Sequence, residues 1–226
     1  MKKLTLALSI LAMLLTACGG LVGRSVRGEE SNVEGGTPET VKKNLSMFYP
    51  IEGTHYQLAN ISAGQVSESS RSSSYDFSQV FSSGRSDYGV YNYVFFDVES
   101  ESVYALLPTN ENMITSIQGY PMPNSTVTPK VSLAWWLYTL VKKDTNQDGM
   151  LSALDKKTLA ISDVGGKGYT ELVSGVDQIL GDVYKDGDIL LLIYRASNKK
   201  FLAHIDLVSR KVSKTSELPS FGADVK

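Results

Sequence analysis

Phe201-Leu202-Ala203-His204-Ile205-Asp206-Leu207-Val208-Ser209-Arg210-Lys211-Val212 is an apolar run, an acid, one apolar residue, a short polar turn and a return to apolar sequence. The template recurs at Asp97-Val98-Glu99-Ser100-Glu101-Ser102-Val103 and at Asp163-Val164-Gly165-Gly166-Lys167-Gly168-Tyr169. Asn60-Ile61-Ser62-Ala63-Gly64-Gln65-Val66 shares it with Asn in place of Asp. Each copy predicts a β-hairpin, because β-branched and aromatic residues flank a polar turn. An Asp or Asn entering the turn accepts a backbone N–H two residues on, and Gly supplies positive φ. The four positions lie 37, 66 and 43 residues apart. A four-stranded propeller blade repeats at about 40 residues, so the long interval leaves room for an insertion.

Two further runs read as strands. Residues 131–141 (VSLAWWLYTLV) are apolar and rich in aromatic and β-branched side chains. Residues 188–194 (DILLLIY) follow the turn Lys185-Asp186-Gly187. Continuous apolar runs of this length predict strands buried on both faces. The hairpins resemble those of bacterial periplasmic β-propeller blades, over about residues 50–218. The resemblance implies an all-β fold of antiparallel hairpin repeats, propeller-like, with about four blade-like units. A β-sandwich is the alternative that the same hairpins allow.

Within the long interval lies Asp144-Thr145-Asn146-Gln147-Asp148-Gly149-Met150-Leu151-Ser152-Ala153-Leu154-Asp155. It resembles the calcium loop of EF-hand and dockerin modules: oxygen side chains at positions 1, 3 and 5, Gly at 6 and an acid at 12. Ca²⁺ takes six to eight oxygens at about 2.3–2.6 Å, and alternate residues of a tightly curled segment aim at one centre. The resemblance implies ligands from Asp144, Asn146 and Asp148, the Met150 carbonyl, Ser152 directly or through water, and Asp155 closing the site. Leu151 would pack the loop on the body. Asp155 is shorter than the usual EF-hand Glu, and Lys156-Lys157 stand where a helix would begin. Strands flank the loop instead, and a single loop predicts a weak or structural site.

The N-terminus carries an address. Lys2 and Lys3 precede an uncharged apolar stretch, residues 4–15 (LTLALSILAMLL). That is short for a bilayer-spanning helix of about 20 residues and suits a secretory signal. Leu15-Thr16-Ala17-Cys18 resembles the lipobox of bacterial lipoproteins, and Cys18 is the chain's only cysteine. The resemblance implies a signal peptide over 1–17, a lipid on the Cys18 thiol and a membrane anchor there. With Gly19 after the Cys, the same resemblance implies the outer membrane, facing the periplasm or the cell surface. Residues 18–40 are Gly-rich, mixed in charge and poor in large apolar groups, which predicts a flexible tether. One β-repeat domain is expected over 41–226. Within it, half of residues 67–86 are Ser, which reads as a long solvated loop.

Composition excludes several function classes. With 22 basic and 24 acidic residues the net charge is -2, so a broad nucleic-acid-binding surface is not expected. One Cys rules out a disulfide framework or a Cys-rich zinc site. With only His55 and His204, histidine-based catalysis has little to work with, and there is no Gly-x-Ser-x-Gly elbow. Gly165-Gly166-Lys167-Gly168 lacks the spacing of a phosphate loop and reads as a hairpin turn. Trp135-Trp136 offers a carbohydrate platform only if one ring faces solvent. The chain is thus expected to be a lipid-anchored envelope protein with one Ca²⁺ loop, a binding or scaffold module and not an enzyme. An envelope hydrolase or a carbohydrate-binding protein is the alternative, and an envelope protein or glycan would be the partner.

Overall fold

Strands of the fold pair with near neighbours in sequence, some across short polar turns and others across the longer connections 64–89, 121–134 and 142–156. The computed structural model describes residues 42–63, 89–121, 132–185 and 187–220, within one unit spanning Thr40–Lys226. The expected signal peptide, Cys18, the tether and the Ser-rich run lie outside the described residues. Among those described there are only strands, turns and irregular segments, all strand pairs are antiparallel, and the protein is all-β and propeller-like.

The strands form three consecutive four-stranded meanders. The first is β2 (Tyr49–Pro50), β3 (Tyr56–Ala63), β4 (Val90–Asp97) and β5 (Ser102–Ala105), with β1 (Lys43–Leu45) added along the far half of β3. The second is β6 (Met113–Tyr120), β7 (Trp135–Val141), β8 (Lys157–Asp163) and β9 (Thr170–Val176). A single pair, Val90 with Ile114, links β4 to β6 and joins these two into one sheet. The third is β10 (Gln178–Lys185), β11 (Ile189–Ala196), β12 (Lys199–Asp206) and β13 (Lys211–Glu217), a sheet of its own. A four-stranded antiparallel sheet is the form of a propeller blade.

Three of the four template copies are hairpins, always between the third and fourth strands of a meander. Asp97, Asp163 and Asp206 end β4, β8 and β12. Asp97 Oδ1 accepts the Glu99 and Ser100 amides at 3.1 and 3.3 Å, Asp163 Oδ1 the Lys167 amide at 2.7 Å, and Asp206 Oδ1 the Ser209 amide at 2.8 Å. The Asn60 copy differs. Asn60 lies inside β3 opposite Tyr93, and residues 61–63 pair with β1. The backbone there is laddered on both sides and does not turn. The described residues therefore hold three blade-like units where the sequence suggested about four.

The core has two parts with the second meander between them. One contains Leu58, Tyr93, Phe95, Trp136, Tyr138, Leu140 and Ala160. The other contains Leu137, Leu159, Ile161, Leu190, Leu192, Ala203, Ile205 and Leu207. Successive side chains of a strand point to opposite faces. Along β7 the even-numbered residues accordingly enter the first core, and Leu137 enters the second. Burial on both faces holds for β7. It fails for β11, where Leu190, Leu192 and Tyr194 are buried but Ile189, Leu191 and Ile193 belong to neither core. The Gly165-Gly166 turn is a packing device. A Cβ on Gly166 (φ +79°) would lie 2.3 Å from the Phe95 ring, and one on Gly165 2.5 Å from the Tyr56 ring. Only glycine lets this turn close onto the first meander.

Leu159 is fully buried in the second core. Leu159→Ala is expected to cost about 2–5 kcal/mol. Urea unfolding should show a lower midpoint with an unchanged slope, the signature of lost packing without a change in the surface exposed on unfolding.

Candidate metal loop and the clasps between meanders

Residues 142–156 connect β7 to β8, so the long interval in the repeat is spent on a hairpin connection at one end of the central meander. Gln147 (φ 63°) and Gly149 (φ 85°) take left-handed conformations and curl the chain. Asp144 accepts the Gln147 amide on Oδ1 at 2.6 Å and the Gly149 amide on Oδ2 at 2.8 Å. Asn146 Oδ1 accepts the Asp148 amide at 3.1 Å, and Asp148 Oδ1 accepts the Met150 amide at 2.9 Å. The Asn146 side-chain amide donates to Asp148 Oδ2 at 2.8 Å. Positions 1, 3 and 5 are thus each tied to the backbone two to five residues on, the curl that the sequence pattern requires.

Asp155 is held differently. It is buried at 1% exposure, while Met150 and Leu154 are 67% and 81% exposed. Its Oδ1 accepts the Thr145 amide at 2.6 Å, the Thr145 hydroxyl at 3.1 Å and the Asn146 amide at 3.2 Å, and its Oδ2 accepts the Ser152 amide at 2.9 Å. Three donors occupy Oδ1 and one occupies Oδ2, so only Oδ2 keeps a lone pair to spare. Donation by the Thr145 amide is the largest influence on this carboxyl. It outweighs burial and, with the other donors, holds the group below the usual carboxylate range. Asp144 and Asp148 keep lone pairs to spare. Among the described residues no three His, Cys, Asp or Glu side chains gather into a metal-holding group. Asp144, Asp148 and Asp155 are therefore turned to the backbone and do not share one focus. Ser152 uses its hydroxyl on the Leu154 amide at 3.2 Å, and Leu151 is half-buried.

Sequence reasoning overlooked two residues that fasten the loop. Thr145 donates to Asp155 and accepts the Lys156 amide at 2.8 Å. Lys157 Nζ donates to the carbonyls of Ala153, Asp155 and Asp177 at 2.7, 2.9 and 3.0 Å. The Lys pair departs from the EF-hand pattern, and this is its physical role: a cation closes the loop where a helix start would. Burial pushes the Lys157 amine below its usual value. Beside it lies an open depression of about 400 Å³, lined by Ser116, Thr139, Ala153, Lys157, Asp177 and Arg195 among others.

A second constellation joins the meanders at their hairpin turns. Lys167 Nζ, from the second meander, lies 3.4 Å from Asp97 Oδ2 of the first. It sits over the Tyr56 and Tyr104 rings, 5.6 and 5.4 Å from their centroids, and Tyr104 donates to the Gly165 carbonyl at 2.7 Å. At the next junction Arg210 of the third meander lies 3.8 Å from Asp163 Oδ2 and over the Trp135 ring at 5.5 Å. Burial pushes the Asp97 carboxyl up, but hydrogen bonds from Ser100, Lys167 and Glu99 outweigh it and hold the group below the usual range. The tryptophans are spent in the same packing. Trp136 is buried and donates to the Val164 carbonyl at 2.9 Å, and Trp135 is covered by Arg210. The pair gives no support to a carbohydrate platform.

No protein-family model matches the chain, and no curated protein matches it. Among solved structures it is similar to the β-propeller domain of the Trilobed protease from Pyrococcus furiosus, described as having an open velcro topology. The identity is 10% and the TM-score 0.36, over 79% of this chain and 44% of that one. This chain therefore spans less than half the length of that structure.

Both depressed carboxyls stabilise the fold above the ordinary Asp pKa of about 3.9. That contribution is lost as pH falls from there through their lower folded-state values. Asp97→Asn and Asp155→Asn should each be less stable than wild type at pH 7 and should lose less stability on acidification below about pH 4. Thermal melts across that range check both. Asp155→Ala should lower Tm even in excess chelator, because its donors are left without an acceptor whether or not an ion is present.

Proposed function

We propose that the chain is an envelope protein, anchored to the membrane through a lipid on Cys18, whose β-meanders form a binding or scaffold module and whose 144–155 loop takes one Ca²⁺. The observation that carries the calcium reading is the curl of the loop. Left-handed Gln147 and Gly149, with the turns at Asp144, Asn146 and Asp148, place oxygen side chains on alternate residues of a tightly wound segment. Hard cations are bound by oxygens presented in this way. Asp144, Asn146 and Asp148 would hold the ion, with the Met150 carbonyl and Ser152. Asp155 holds three donors on Oδ1 and one on Oδ2 and would join through Oδ2 alone, so its first task is to fasten the loop ends. A site with three carboxylates in all belongs at the weak end, near the 10⁻⁴–10⁻³ M of extracellular modules.

The module is read as a binder and not as an enzyme. In the depression beside the loop, Lys157 Nζ is committed to three carbonyls. Lys167 with Asp97 and Arg210 with Asp163 are engaged across the junctions between meanders. Outer-membrane placement rests on the N-terminal sequence. No helix of the described residues is long and apolar enough to cross a membrane.

Addition of millimolar Ca²⁺ to chelator-treated protein should raise Tm by several degrees, as binding to the folded state alone requires. Mg²⁺ should do so less. Asp144→Ala combined with Asp148→Ala should remove the rise while leaving the chelated Tm near that of wild type. A wild-type Tm that does not respond to Ca²⁺ would reduce the loop to a turn.

A further inference from the structure

The three meanders stack with a direction, and one end of the stack is left open. In each meander the residue opposite the turn-entry Asp and the residue two further along the same strand lie on the face that carries the Asp. These are Tyr56 and Leu58 in the first, Trp135 and Leu137 in the second, and Ile189 and Leu191 in the third. In the first two, that face is covered by the next meander, and Leu58 and Leu137 are 3% and 4% exposed. The turn of the next meander also reaches back with two residues. One is the apolar residue after its own Asp: Val164 packs on the first core, and Leu207 is fully buried in the second. The other is the cation four positions after the Asp: Lys167 meets Asp97, and Arg210 meets Asp163.

The third meander repeats the forward half of this joint in part, with His204 opposite Leu191 where Phe95 and Ile161 stand opposite Leu58 and Leu137, and no described meander covers it. Leu191 occupies the register position of Leu58 and Leu137 but belongs to neither core, and so do Ile189, Ile193 and Leu202 on the same face. Val183, which pairs with Leu191, is 58% exposed. Asp206 carries the turn, yet among the described residues it has no ion pair. Ile189, Leu191, Ile193 and Leu202 are half-buried, with His204 among them opposite Leu191, and the two junctions already present show what kind of surface fits this face.

We propose that this face of the third meander is the docking surface for a further four-stranded β-meander of another protein. That meander would carry an apolar residue directly after its turn-entry acid and a Lys or Arg four positions after that acid. A second copy of this chain does not meet the requirement. Its first meander has Glu101 at the cation position and would set it against Asp206. The Arg210 of its third meander is engaged with its own Asp163. The assignment stands apart from the calcium loop, which lies at a different connection.

The probe is the third meander, which like the second carries the matching residues, Leu207 directly after Asp206 and Arg210 four positions after it. A second copy of residues 178–217 is fused after residue 217 of the full chain, so that the added copy of Arg210 is free to reach the resident Asp206. Docking should raise Tm by at least about 4 °C and slow hydrogen exchange in β10–β13. Arg210→Asp in the added copy, or Asp206→Arg in the resident meander, should each remove much of the gain. The two changes together should restore it, which a merely misfolded variant would not allow. Asp206→Arg without the fusion should lower Tm through the lost hydrogen bond to the Ser209 amide, so each fused variant is compared with the unfused chain carrying the same resident residue. A fusion with no gain, or a gain indifferent to these charges, overturns the proposal. So does an unfused chain that dimerises in light scattering and is returned to monomer by Leu191→Asp, since the face would then belong to a second copy.

Discussion

A strand with apolar side chains on both faces cannot be satisfied by its own sheet, because a sheet covers edges and not faces. β7 is such a strand, and the rest of the structure follows from covering it. Trp136, Tyr138 and Leu140 require a layer on one side and Leu137 a layer on the other. At about 25 cal/mol per Å² of apolar surface removed from water, these faces are the largest single stabilising contribution available. The first and third meanders supply the layers. A two-layer sandwich would leave one of those faces wet, so the stack has three layers, and the outer ones inherit the problem that the central one has solved.

The clasps give that stack its order. Hydrophobic faces are non-directional, and three similar meanders could slide or exchange positions. An acid facing forward and a cation facing back, each fixed by a hairpin turn, select one register. The flanking aromatics add to this, since Lys167 lies over two tyrosines and Arg210 over Trp135. The turn glycines then set the distance, because any side chain at 165 or 166 would hold the layers apart. Charge, ring and glycine act together at the first junction, while the second, whose turn has no glycine, relies on charge and ring.

The 144–155 loop stands apart from this architecture, as an excursion from the middle of the most buried meander. Its ends are fastened by Asp155 and Lys157, both drawn inward against backbone groups. A loop so fastened keeps its curl without an ion, and this lowers the ordering cost that an ion would otherwise meet on binding. The sequence pattern was read as a ligand set. The structure shows that part of the same pattern is a turn scaffold, and that Asp155 does different work from Asp144 and Asp148. Nothing in spacing alone separates these roles, because a carboxylate offers the same oxygens to an amide as to a cation.

Local chemistry was legible in the sequence wherever a residue acts on its near neighbours. The Asp-entered turns at 97, 163 and 206, the curl over 144–149 and the strand character of 135–141 and 189–194 all depend on contacts a few residues apart. Asn60 was misread because an acid-like residue amid apolar ones fits a turn or a strand equally well, and only the pairing of residues 61–63 with β1 decides. The continuous apolar run of β11 reads as a strand covered on both faces, yet only Leu190, Leu192 and Tyr194 of it are buried. It could not tell that one face goes without cover among the described residues. Which Asp meets which cation, which tryptophan is buried and which face is left open are relations between segments more than 40 residues apart. They were fixed by the order in which the meanders stack, which no local pattern encodes.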